Sequence, residues 1–132
     1  MKALTLYQPW GSLILDGRKT IETRSWHTKH RGPMAIHAGL KMDLDCKEAC
    51  RRFGYDPKAI ELGVVLCIVD LVDVVQFPNP KAVPDEYGDF TDGRFGWLLR
   101  NVRPLDHPVE AKGGRMLWNW DFGDRLKQSR LI

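Results

Sequence analysis

Apolar and polar residues along the chain fall into short blocks with either a two-residue or a helical period, punctuated by Pro and Gly. Residues 3–8 place Leu4 and Leu6 two apart and close at Gln8-Pro9, which predicts an opening strand. Trp10, Leu13 and Ile14 then recur at helical spacing between Pro9, suited to a first turn, and Gly17, suited to a stop, so 9–16 predicts a short helix. Thr20 to Trp26 predicts a strand by its β-branched and aromatic content. Its alternation is unusual: Thr20, Glu22, Arg24 and Trp26 fall on one face, Ile21, Thr23 and Ser25 on the other.

Further on, Arg31-Gly32-Pro33 predicts a turn and Pro33 to Ala38 a strand. Asp43 predicts the cap of a helix running to about Phe53 that buries Cys46, Ala49, Cys50 and Phe53. A second helical turn is expected between Pro57 and Gly63. Val64 to Phe77 is long for one strand, which predicts a bend or bulge near Asp70 to Asp73. Pro78 to Gly93 is rich in Pro, Gly and acidic residues and predicts a surface excursion. Phe95 to Leu105 predicts a strand ending at Pro104. Met116, Trp118, Trp120 and Phe122 predict the apolar face of a last strand. About six strands and two or three short helices without βαβ alternation imply a single α+β domain over 1–132, mostly antiparallel and barrel-like.

The 132 residues suit one domain, and 43% hydrophobic against 28% charged residues is globular composition. Val64 to Val69 is the longest apolar run, far short of the ~20 residues of a membrane span. Met1-Lys2 is followed by the polar Gln8-Pro9 signal rather than by a leader-like apolar stretch. The three cysteines, Cys46, Cys50 and Cys67, lack zinc spacing, which predicts reduced thiols in the cytoplasm and no metal. Net charge is only +3, from 20 basic and 17 acidic residues, but the first 60 residues are net +5, with eleven basic and six acidic side chains, and the remainder net −2. A basic face of that kind suits phosphates.

The chemistry concentrates between Gln8 and Gly39. A helix stopping at Gly17 delivers Lys19 to a strand whose same-face residues Glu22, Arg24 and Trp26 stand ~6.6 Å apart. Such a face suits either an ion pair bracing a sheet or a polar cleft. In the second case Lys19 and Arg24 bind a phosphate or carbonyl oxygen, Glu22 accepts from an exocyclic amine such as that of cytosine, and an aromatic stacks on the base. Trp26 and Trp10 flank the group as candidate walls. His37, in an apolar strand, is expected to pack rather than catalyse, and Trp118 and Trp120 to lie in the core. Gly17-Arg18-Lys19-Thr20 lacks the spacing of a phosphate loop, and His27 and His30 have no further ligand nearby in sequence.

Gly17, Lys19, Glu22 and Arg24 spell GxKxxExR, flanked by Gln8-Pro9-Trp10, Trp26 and Arg31-Gly32; looser similarity runs through Val69-Asp70-Leu71, Phe95-Gly96 and Lys112-Gly113 to Trp118. This pattern resembles the ASCH family, related to PUA-like RNA-binding barrels. The resemblance implies a small β-barrel with helices over its openings and a cleft for RNA, single-stranded nucleic acid or a modified nucleotide, with no cofactor. It implies Lys19, Glu22, Arg24, Trp26, Trp10 and Arg31 as ligand-binding residues. One branch of the family resembles amidohydrolases that deacetylate N4-acetylcytidine and read GxKxxTxR; here Glu22 stands at the threonine position. Lys19 and Glu22 are then the catalytic candidates, through an activated water. Ribonuclease-type cleavage is the third expectation.

Overall fold

The computed structural model describes residues 1–122. In chain order the elements are β1 (Lys2–Leu6), α1 (Trp10–Leu15), β2 (Ile21–Arg24), β3 (Gly32–Ala38), α2 (Leu44–Arg52), β4 (Val64–Gln76), β5 (Phe95–Glu110) and β6 (Leu117–Asn119). All six strands join one sheet in the order β2-β5-β4-β3-β1-β6. Every neighbouring pair is antiparallel except β1 with β3. The sheet curls until its ends approach: Arg24 Nη2 on β2 donates to the Thr5 carbonyl of β1 at 3.0 Å. The result is a half-barrel of the expected α+β, mostly antiparallel kind with a side chain bridging its seam. The single-domain reading also covers 123–132, which lie outside the described residues.

Burial on both sides explains the long apolar run of β4. Leu4, Leu6, Met34, Ile36, Leu66, Val69, Leu71, Trp97 and Leu99 form the main core together with Ile14 of α1. Ala3, Ala35, Val65, Ile68 and Trp120 pack as a second cluster. Along β4 the main-core positions shift phase, Leu66 and Cys67 both joining that cluster, because the β4–β5 register slips between Val65 and Cys67. Further slips fall between Ile68 and Asp70 and between Leu71 and Asp73, the last where the sequence predicts a bend. Each slip turns the strand and increases its twist, which curls the sheet.

Local signals place both helices. Gln8 is fully buried, and its Oε1 accepts from Ser12 N–H at 2.9 Å; Gly17, at φ +89°, ends α1. Asp43 accepts from Cys46 N–H at 2.9 Å and caps α2, which buries Cys46 and Cys50.

Residues 57–60 make the expected single helical turn, the Asp56 carbonyl accepting from Ala59 and Ile60 N–H. Two expectations are corrected. β5 does not stop at Pro104 but continues through Pro108 to Glu110. Its β2 partner extends only to Leu98, so beyond that point one edge has no ladder to interrupt among the described residues, and the register slips at Cys67 opposite Pro104. The last strand shrinks to Leu117–Asn119, because Met116, at φ +53°, turns away and stands exposed while Trp118, Trp120 and Phe122 pack together. The expected surface excursion at 78–93 folds over the outer side of β2, where Phe77, Ala82 and Phe90 pack on Ile21, Val75 and Leu98.

Candidate functional site

The α1–β2 turn delivers the first cation. Lys19 N–H bonds the Leu13 carbonyl at 3.0 Å, fixing the chain as it leaves α1, and the Lys19 side chain turns inward with 1% of its surface exposed. Glu22 and Arg24 follow on the inner face of β2, as the two-residue period predicts. Lys19 Nζ lies 3.3 Å from Glu22 Oε1 and donates to the Tyr87 carbonyl at 2.5 Å. Arg24 holds Glu22 Oε2 through Nε at 3.0 Å and Nη2 at 2.9 Å, while Thr23 N–H donates to Oε1 at 3.0 Å. Three charges are thus gathered in one buried chain, each with a partner, which is the condition for tolerating them out of water. Each Glu22 oxygen thus already accepts one hydrogen bond from the protein, and a ligand's amine there would share the carboxylate with Lys19 and Arg24.

These groups floor a cleft of about 840 Å³ whose sides come from four parts of the chain. Trp26 stands edge-on to the fully buried Trp97, centroids 4.7 Å apart, and its carbonyl accepts from Trp97 Nε1 at 3.4 Å. Trp10 packs edge-on to Phe53, and Lys19 Nζ sits 5.7 Å from its ring centroid. The segment 86–89 makes the third wall, pinned by Asp89 N–H to Thr23 Oγ1; a Cβ on Gly88 would meet Thr23 Cγ2 at 2.7 Å, so only glycine permits this approach. Tyr7 and 114–116 make the fourth.

Five of the six expected ligand residues, Lys19, Glu22, Arg24, Trp26 and Trp10, line this cleft. Arg31 does not: it donates to the Thr28 and His30 carbonyls and pairs with Asp73 at 3.7 Å, across on β4. Tyr7, Tyr87, Asp89, Arg94, Arg115 and Met116 line the cleft unannounced by motif or periodicity. Among the basic residues of the first 60, Arg52 pairs with Glu86 of the cleft and Lys41 with Asp43. Burial pushes the three free thiols up, Cys67 to about 12, away from nucleophilic reactivity. Among the described residues no three His, Cys, Asp or Glu side chains are grouped to hold a metal, and no helix is long and apolar enough to cross a membrane.

One buried polar chain supports the fourth wall. His37 Nε2 lies 2.7 Å from the Ala111 carbonyl and must donate to it, which leaves Nδ1 to accept from the Thr5 hydroxyl at 3.1 Å. Thr5 Oγ1 in turn accepts from Trp118 Nε1 at 3.0 Å. Gly113 closes over the ring, where a Cβ would meet His37 Cε1 at 2.8 Å. His37 therefore packs as expected, in a defined neutral form, and desolvation lowers its pKa below the ordinary 6.5. With the folded value depressed, the unfolded chain takes up the proton first, so stability is complete above 6.5 and declines as pH falls from there toward the folded value. Melting curves recorded from about pH 7.5 to about pH 5 are expected to show that decline, and His37→Gln to remove its histidine component. A wild-type curve superimposable on that of the variant would refute it.

Comparison with known proteins agrees with the geometry. The ASCH domain profile matches residues 4–106. Activating signal cointegrator 1 from Homo sapiens is 30% identical over 127 residues, and its Mus musculus counterpart 30% over 130. Each alignment covers 89% of this chain but 22% of the relative, so the chain spans about a fifth of the length of these proteins. ASCH from Zymomonas mobilis superposes with a TM-score of 0.61 at 16% identity, over 97% of this chain and 93% of that one. A point mutant of the same protein gives 0.62 at 17%, over 97% and 96%. At that identity the likeness speaks for the fold. The profile match and the cointegrator alignments carry the assignment: this chain belongs to the ASCH domain family.

Proposed function

We propose that the chain is an RNA- or nucleotide-binding module that holds one nucleotide in the cleft between Trp10 and Trp26. The observation that carries the reading is the convergence of Lys19, Glu22 and Arg24 on the floor of a cleft of about 840 Å³, within the range of small-ligand sites. Aromatic edges beside buried cations suit a ligand with a flat π-system and oxygen acceptors. Arg115, exposed on the cleft wall, favours a polyanion approaching from solvent. Three reduced thiols support a cytoplasmic location.

Fluorescence anisotropy of a labelled single-stranded oligoribonucleotide tests the reading. Affinity is expected to fall with salt, with a log–log slope of about 0.7 for each phosphate engaged. Arg24→Ala is expected to weaken binding about tenfold or more, the loss of one charge-assisted contact. Absence of binding at about 50 mM salt, or affinity indifferent to Arg24→Ala, would overturn it.

The 3.3 Å contact between Lys19 and Glu22 favours a second reading, an amidohydrolase acting on an acylated nucleoside such as N4-acetylcytidine. Glu22 would then activate a water against an amide carbonyl held by Lys19. Release of cytidine, abolished in Lys19→Ala, is its signature; no release above that control removes it.

A further inference from the structure

The floor of the cleft is richer in donors than in acceptors. Glu22 accepts hydrogen bonds from Thr23 N–H on Oε1 and from Arg24 Nε on Oε2, and Lys19 Nζ and Arg24 Nη2 crowd the same two oxygens at 3.3 and 2.9 Å. A ligand N–H arriving there competes with two cations for one carboxylate. Lys19 directs one N–H to the Tyr87 carbonyl and a second faces Glu22, which leaves a third uncommitted. Arg24 uses Nε and Nη2 on Glu22 and Thr5, and its Nη1 has no partner among the described residues.

The charges point the same way. Two cations share one carboxylate, so the floor holds one positive charge in excess, with Lys19 almost wholly out of water. The acidic groups above do not offset it, because Asp89 faces Arg94 at 3.5 Å and Glu86 faces Arg52 at 3.7 Å. A nucleobase carbonyl would satisfy the free donors and leave the charge unbalanced. A phosphate, which offers only acceptors and carries negative charge, satisfies both. We propose that Lys19 and Arg24 form an oxyanion subsite that takes a phosphate group of the ligand, with the base directed toward the tryptophan walls. This rests on the nucleotide-binding reading and specifies which end of the nucleotide goes in first.

Competition tests it. A labelled single-stranded oligoribonucleotide of about ten nucleotides, bound to the wild-type chain, is displaced with inorganic phosphate, sodium acetate or sodium chloride at matched ionic strength. Phosphate is expected to act at a concentration at least about tenfold below either control. Lys19→Met is expected to abolish that advantage; should this variant melt far below wild type, Arg24→Gln, at a more exposed position, carries the same expectation. RNA that binds yet is displaced equally by phosphate and chloride, or as well by acetate as by phosphate, overturns the subsite and leaves the binding reading standing. Phosphate that raises the melting temperature above the chloride control in a protein that binds no RNA does the reverse. Oligonucleotides with a 5′-phosphate and a 5′-hydroxyl identify the source: tighter binding of the first assigns a terminal monoester, and equal binding an internal diester.

Discussion

Replacing Glu22 by Leu is expected to destabilise the protein by about 3–5 kcal/mol, the usual cost of breaking a buried ion pair from one side. The side chain is 8% exposed and is the only carboxylate in contact with Lys19 and Arg24 among the described residues. Its loss leaves Lys19 desolvated and facing a second cation, with Thr23 N–H deprived of its acceptor as well. Urea unfolding at neutral pH measures the change. The double variant Lys19→Met/Glu22→Leu is expected to be more stable than Glu22→Leu alone, since removing both members of a pair removes the desolvation cost with the attraction. A single-variant loss below about 1 kcal/mol would show that water reaches the trio and that the site is not sealed as described.

Trp97→Ala is expected to cost a similar amount, about 3–5 kcal/mol, by opening a large cavity in the main core. Trp97 is fully buried on β5, opposite Glu22 in the β2–β5 register and opposite Val74 in the β4–β5 register. It also backs Trp26, so truncation removes the surface on which one cleft wall rests. Trp97→Phe retains most of the filling and is expected to recover much of the stability. Ligand affinity measured well below the melting temperature separates the two roles. A Trp97→Ala protein that is destabilised yet binds as tightly as wild type would show that Trp26 keeps its place without support.

The parts of the site legible in the sequence are those encoded within a few residues. Pro9 and Gly17 bracket α1, and the two-residue period of a strand puts Glu22 and Arg24 on one face beside Lys19, so the trio can be found without knowing what surrounds it. What stays hidden is set by distant partners. Nothing near Tyr87 announces that its carbonyl receives Lys19, a contact across 68 residues, or near Asp89 that its N–H reaches Thr23. Arg31 reads as a member of the site because it is close in sequence, but its carboxylate partner Asp73 lies on another strand and draws it elsewhere. Pro104 is a fair stop signal that fails because the edge it occupies is already open. Met116 keeps the period of its neighbours in sequence and loses it in space to one left-handed backbone angle.

The place of β1, between β3 and β6, has a consequence for biosynthesis. Ala3 and Leu4 pair on one side with Ala35 and Ile36 and on the other with Trp118 and Leu117. While the nascent chain is still attached to the ribosome, the first partner emerges soon after β1 and the second only after β4 and β5 have been made. For that interval the growing polypeptide carries a hydrophobic strand with one side unpaired, the kind of edge that chaperones shield and that self-association exploits. Slowing translation between the segments that encode β3 and β6 would lengthen that vulnerable interval.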